Sequence, residues 1–362
     1  LSEKMTSTSS SSLLFFFFTA LIVFPCITSA LASSSPPSYQ SYLVTGGNKG
    51  QGYALCKRIL SEHTNTHVFL CSRNKERGMD AKSSLLNELC PEEEREGMKD
   101  RIDVISLDVT SDDSVKEAFK KVESTLTQKE CSLFGIVSNA GILWGYPLSQ
   151  LFDVCTIGVK RVLELFVPLL HSTEGRVVVV TSGLGPLMHS YASQTHQKTF
   201  SSADCTYEDV IKPIMTQCLQ AYDSTVDSLE QRIKSFESIG FPGGPFADSA
   251  PDFHMYGLSK MLADVYMVTL ARRYPNLLLV SVDPGLVYTD LILKMPRYEG
   301  KEIGETTAQT PHQGVEPTMR LLFDTYTQQE KQERSGKLFA MNKDKTDLIF
   351  STIDKMPQKE EQ

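Results

Sequence analysis

The segment that most limits what this chain can fold into is residues 42–60. Tyr42-Leu43-Val44 is a short apolar run, Thr45-Gly46-Gly47-Asn48-Lys49-Gly50-Gln51-Gly52 follows it, and residues 53–60 carry helical apolar spacing through Ala54, Leu55 and Ile59. A strand that turns through glycines directly into a helix suits a pyrophosphate. The anion sits at the helix N-terminus, and its oxygens reach backbone amides only where side chains do not intervene. Gly46, Gly50 and Gly52 are expected to leave that approach open. Three glycines at this spacing are a weak signal taken alone, so the rest of the chain must support them.

The support is an alternation. Residues 67–71, 102–107, 134–137, 176–180 and 277–282 read as five more strands, with helical segments such as 115–126 and 151–170 between several of them. Strands that read as continuous apolar runs, alternating with amphipathic helices, predict a parallel sheet covered on both faces. The expected fold is α/β: a doubly wound parallel sheet of the Rossmann type, in a single domain over residues 42–344. Composition agrees, since 41% apolar and 22% charged residues exclude a disordered chain and a coiled coil. With 44 acidic against 36 basic residues the net charge is -8, which leaves no basic field for nucleic acid or anionic lipid. None of the eight cysteines stands in a C-x-x-C pair, so no metal site is signalled. Cys56 and Cys71 fall in a helix and a strand, where a thiol packs as a small hydrophobe.

The two ends read differently. Residues 13–24 are apolar throughout and are followed by Pro25, Cys26 and Ala30-Leu31-Ala32, a small-residue pattern that signal peptidase accepts. Met5 reads as the start, residues 1–32 as a signal or targeting segment, and residues 33–41 as a short linker. The only basic residue nearby is Lys4, ahead of Met5. The destination is therefore open between the secretory route, a plastid, and a membrane anchored by an uncleaved segment. Residues 345–362 read as a charged tail expected to fray.

Further along, motifs follow in a fixed order. Asp108 stands in Leu107-Asp108-Val109, Asn139-Ala140-Gly141 follows the fourth strand, and Ser182 closes the apolar run 177–181. Tyr256 and Lys260 are four apart, and Pro284-Gly285 lead to Val287 and Thr289. On these residues, together with the glycine turn, the chain resembles the short-chain dehydrogenase/reductases over roughly residues 42–339. Within them it resembles the monomeric carbonyl reductases and the menthone and salutaridine reductases of plants. The resemblance implies a nicotinamide dinucleotide held first by the glycine turn, through Gly46, Asn48, Lys49, Gly50, Gln51 and Gly52. It further implies contacts from Arg73, Asp108, Val109, Asn139, Ala140 and Gly141, and beyond these from Tyr256, Lys260, Pro284, Gly285, Val287 and Thr289.

The chemistry explains the residue types. Hydride passing to a carbonyl carbon leaves charge on oxygen, which needs a proton and a donor to hold it. Tyr256 is placed to supply the proton. A free phenol ionises near pH ~10, and an adjacent ammonium lowers that value. Lys260, at i+4 on the same helix face, is placed to do so. Ser182 would donate to the substrate oxygen. The family usually carries an asparagine at a helix kink in its proton relay, and Cys155 occupies that place here, in Cys155-Thr156-Ile157-Gly158. A thiol cannot copy an amide's hydrogen bonds, so an active enzyme and a catalytically weak dinucleotide-binding sensor or scaffold both stand as readings.

The cofactor expected is NADP(H). Enzymes that choose NADH place an acid at the end of the second strand, whereas here that strand ends Leu70-Cys71-Ser72-Arg73-Asn74, with Lys49 inside the glycine turn. Residues 186–254 form an insertion before the tyrosine, with helical spacing over 207–219 and 222–236 and a return turn at 240–245. In the subgroup this element packs where other members dimerise, which implies a monomer, or equally it roofs the substrate pocket; the resemblance implies a small carbonyl compound as substrate. Residues 288–305 are expected to form a mobile loop over the site, with Tyr298, Met295 and Phe246 as candidate walls.

Overall fold

The computed structural model describes residues 40–223, 229–242, 251–295 and 298–351. The expected targeting segment at residues 1–32, most of the expected linker, Phe246 and residues 352–362 lie outside them.

Eight strands form one sheet: β1 (Gln40–Val44), β2 (Thr66–Ser72), β3 (Ile102–Ser106), β4 (Ser132–Ser138), β5 (Arg176–Val180), β6 (Leu278–Val282), β7 (Leu338–Met341) and β8 (Leu348–Ser351). Their order is β3-β2-β1-β4-β5-β6-β7-β8, with every pairing parallel except β7 with β8. The chain therefore winds outward from β1 to β3, then crosses back to β4. The crevice at the C-terminal ends of β1 and β4 is the topological switch point, where open α/β sheets bind ligands.

Both faces of the sheet are covered. Leu43, Val177 and Val179 point to one face, where the Asp112–Gln128, Gly158–Phe166 and Pro251–Arg273 helices pack. Tyr42, Val44, Val178 and Val180 point to the other, against the Gly50–Glu62, Lys75–Leu89 and Glu316–Phe323 helices. Side-chain caps fix where helices begin. Asn74 accepts from Arg77 N at 2.8 Å and Ser111 from Ser114 N at 3.2 Å, each satisfying an amide that the helix leaves free.

Three boundaries differ from the sequence reading. First, the domain does not end at residue 344. Leu348–Ser351 pairs antiparallel with β7, with Phe350 opposite Phe339 at 5.5 Å between ring centroids, because β7 offers a free sheet edge to a short apolar run. Second, residues 151–170 are not one continuous helix. The Leu148–Phe152 turn passes into a π-helical turn at Asp153–Ile157, where Gly158 N–H bonds to Asp153 O, and α-helix resumes at Gly158. Third, the insertion starts earlier and holds more helix than its spacing suggests. Leu184–Tyr191 and Gln194–Ser201 precede a π-helical turn at Tyr207–Ile211, and the later helices are Lys212–Asp223 and Leu229–Ser238.

The insertion is part of the main core. Phe200, Ile211, Ile214, Met215, Cys218, Phe236 and Phe241 are buried in the same cluster as Leu262 and Tyr266 of the Pro251–Arg273 helix. Gly240 closes it at φ +85°, and a Cβ there would lie 2.8 Å from both His196 Nδ1 and Ser193 Oγ, so glycine is required twice over. Among the described residues all seven cysteines are free, and Cys56 and Cys71 are buried, with burial pushing both thiols upward.

Candidate active site

The crevice is stapled by one hydroxyl. Thr45 Oγ1 accepts from Asn139 N at 2.9 Å and Ala140 N at 3.0 Å, while Asn139 Nδ2 donates to Thr45 O at 3.0 Å. The ends of β1 and β4 are thereby held together, which is the work of the Asn-Ala-Gly turn. Gly46 at φ +65° and Gly50 at φ +55° bend the chain into the Gly50–Glu62 helix. Gly52 acts differently from the expectation. A Cβ there would overlap Gly46 O and lie 2.7 Å from Asn139 Nδ2, so this glycine lets the helix pack on its own turn and is not at the cavity wall. The result is a cradle of backbone amides at a helix N-terminus, fitted to a pyrophosphate.

A cavity of about 940 Å³ runs from this cradle across the strand ends. At one end Ser72, Arg73, Asn74 and Arg77 line it, with Asp108 close by, whose Oδ1 is held by Thr110 N at 3.0 Å and Thr110 Oγ1 at 2.7 Å. Arg77 was not singled out by the sequence reading. Its signal is positional: it lies one turn beyond Arg73, at the start of the Lys75–Leu89 helix. Lys49 is not free here. It pairs with Asp290 at 2.5 Å, both side chains being mostly exposed, and the lysine holds the Asp290 carboxyl below its ordinary range.

At the other end stand Ser182, Tyr256 and Lys260. Ser182 follows β5, and its Oγ accepts from Leu184 N at 3.2 Å, which orients the hydroxyl. Tyr256 and Lys260 project from the Pro251–Arg273 helix, the Lys260 Nζ lying 5.4 Å from the Tyr256 ring centroid and donating to Val180 O at 2.9 Å. Both are buried. Burial pushes the phenol of Tyr256 up while Lys260 pulls it back, so the ammonium acts in the expected direction but the phenol keeps its proton over the neutral range. Burial works against the Lys260 charge, and the negative groups around it, Tyr256 first, more than restore it.

Cys155 lies in the π-helical turn, fully buried and away from the cavity wall. Its Sγ is 3.7 Å from Ile142 O. The kink expected of an asparagine is present without one, because the backbone makes it.

Of the remaining sequence-derived residues, Asn48, Gln51, Val109, Gly141, Pro284, Gly285, Val287 and Thr289 all reach the cavity wall. Gly285 takes φ +72°, and Gln309 Nε2 donates to Pro284 O at 3.2 Å, anchoring that segment. The far end is closed by Trp144, Tyr146, Phe253, Leu184, Ile292 and Met295, of which only Met295 was foreseen. Tyr298 does not face the cavity. It is buried with Ile292 and Met295 in a small separate cluster against Trp144, Phe253 and Leu286.

An anion cradle at a switch point, joined by one cavity to a Ser–Tyr–Lys group, defines a nicotinamide dinucleotide-dependent oxidoreductase. The chain is similar to the short-chain dehydrogenase/reductases. The family described as short chain dehydrogenase matches residues 40–196. The (+)-neomenthol dehydrogenase of Arabidopsis thaliana is 26% identical over 294 residues, covering 75% of this chain and 92% of that protein. The 17-beta-hydroxysteroid dehydrogenase type 2 of Homo sapiens is 32% identical over 176 residues, but the match spans only 41% of its length and 45% of this chain. Among solved structures, salutaridine reductase from Papaver somniferum aligns with a TM-score of 0.61 at 20% identity, over 83% of this chain and 99% of its own. Menthone neomenthol reductase from Mentha piperita gives 0.60 at 20% identity, over 84% and 99%.

Proposed function

We propose that this protein uses NADPH to reduce a ketone, aldehyde or quinone to the alcohol. The observation that carries the reading is the meeting of Ser182, Tyr256 and Lys260 in one cavity with the glycine cradle. When bound, a reduced nicotinamide supplies hydride to the carbonyl carbon. Ser182 Oγ–H holds the carbonyl oxygen, and Tyr256 Oη gives it a proton as charge develops. Lys260, fixed on Val180 O, stabilises the phenolate left behind. Arg73, Arg77 and Lys49 form the cationic end that suits a 2'-phosphate, Arg73 and Arg77 with the planar fork for it. Lys49 must leave Asp290 to contribute, at a cost of at most about 1 kcal/mol for so exposed a pair.

The second reading, a dinucleotide-binding sensor or scaffold with little catalysis, has Cys155 as its motive. The π-helical turn argues against it, since a relay built on the turn's carbonyls survives loss of the amide side chain. Incubation with NADPH and a panel of quinones, aldehydes and ketones separates the two, with binding followed by Trp144 fluorescence. Turnover supports the reductase, while binding without turnover of any compound supports the scaffold. The proposed state is a monomer, because the insertion's apolar side chains are buried within their own chain.

A further inference from the structure

One turn beyond Lys260 on the same helix lies Asp264, an acid that the chemistry above does not use. It is 4% exposed. The Ser281 and Thr181 hydroxyls face its carboxyl, yet neither oxygen has a well-aligned hydrogen bond, and Thr181 Oγ1 has none either. Gly185 makes room for it, since a Cβ there would collide with Asp264 Oδ2. These neighbours belong to the strand end that carries the site. Thr181 sits between Val180, whose carbonyl holds Lys260 Nζ, and Ser182.

The buried charges around this point are unequal in their support. Asp283, on the segment after β6, accepts from Gly285 N at 3.0 Å and from the backbone of Gly183. Asp264 has two hydroxyls, the Lys260 ammonium and the repulsion of Asp283. Burial pushes its carboxyl up to about 7, with Ser281, Thr181 and Lys260 pulling it down and Asp283 pushing it further. At the alkaline pH where a buried phenol ionises, Asp264 is therefore a carboxylate. A negative charge at that place favours the ammonium of Lys260; two helical turns from Tyr256 on the same helix, it works by Coulomb repulsion against a second negative charge there.

We propose that Asp264 is a positioning residue for proton transfer. Packed under the Val180–Ser182 strand end, its carboxylate keeps Lys260 charged and Tyr256 in the phenol form that donates to a carbonyl oxygen. This role rests on the reading of Tyr256 as the proton donor. A purely structural role, in which the carboxyl only ties the helix to β5 and β6, predicts a different response.

The test is the ionisation of Tyr256, followed in the full chain by phenolate absorbance, with Tyr256→Phe as the blank. Asp264→Asn keeps the shape but removes the charge. The Tyr256 midpoint is expected to fall by about one pH unit, as for loss of a nearby buried charge, and the alkaline limb of any carbonyl-reduction profile to fall with it. Asp264→Ala gives a second reading should Asp264→Asn not fold: it removes the same charge, so the Tyr256 midpoint falls by a similar amount. A midpoint that stays within about 0.2 pH unit, or rises, in a folded variant overturns the proposal, and a lowered melting temperature alone marks the structural role. Because the readout is the phenol and not turnover, failure to reduce any carbonyl would count against the proposed function and leave this result to stand or fall separately.

Discussion

At the phosphate end the cradle takes its shape from the backbone. Left-handed Gly46 and Gly50 and the Thr45 staple are set by strands buried on both sides, and nearly every packing partner belongs to one of the two large clusters. At the substrate end the wall is side chain. Ile292, Met295 and Tyr298 form a cluster of three resting on Trp144 and Phe253. The first end has its geometry fixed by the sheet, and the second is held by a few apolar contacts that open at low cost. A rigid cradle beside a loosely held wall is an arrangement in which one ligand class stays constant while the other changes by substitution of a few side chains.

Four variants probe that contrast. Tyr256→Phe, at the junction of the two ends, keeps the ring and removes the proton. The turnover number should fall by at least ~10²-fold with dinucleotide binding unchanged, measured as NADPH consumption against Trp144 quenching. Near-normal turnover would remove Tyr256 from the mechanism. Replacing Arg73 and Lys49 together by alanine should erase about 3 kcal/mol of preference, or ~10²-fold in the ratio of kcat/KM for NADPH over NADH, at the lower range for charged hydrogen bonds. NADH kinetics should stay nearly intact. A wild-type enzyme that uses both cofactors equally defeats this at the outset.

Met295→Ala tests the substrate end. In a three-residue cluster its loss lies at or below the low end of core truncations, about 2 kcal/mol, spent locally. The carbonyl KM should rise by up to roughly 30-fold while the melting temperature of the whole domain barely moves. A global drop in melting temperature would show that this cluster is part of the main core after all. The smallest effect is expected for Asp290→Ala. It frees Lys49 from an exposed ion pair worth at most about 1 kcal/mol, so NADPH should bind up to ~5-fold tighter, read by fluorescence titration. Weaker binding would mean that Asp290 positions the lysine instead of competing for it.

What the sequence made legible follows the same division. The six strands from β1 to β6 are fully or largely buried apolar runs between helices, and each was located to within two residues. The glycine turn, Asn139, Ser182, Tyr256 and Lys260 carry residue types that only a few backbone arrangements need. β7 and β8 escaped because each is four residues long, and β7 meets β6 through only Ser281 with Leu338 and Val282 with Phe339. No periodicity is measurable over such lengths. Trp144, Phe253 and Arg77 escaped for another reason: an apolar or basic side chain looks alike in sequence whether it faces a cavity, a core or water. Asp264 belongs to this group as well, since i+4 from a lysine is also the commonest surface pairing.

The staple at Thr45 also sets an order in time. Its hydroxyl joins residues 94 and 95 positions apart, so while the chain is still short of β4 during synthesis, Gly46 and Gly50 have a helix behind them but no opposing wall. Closing a loop of that length is entropically expensive and contributes to slow folding. The phosphate cradle therefore cannot exist on the nascent chain until Asn139 has emerged. Tyr256 comes more than a hundred residues later, so the anion site is complete before the proton donor is made, and a dinucleotide captured at that stage would stabilise the half-finished sheet by mass action.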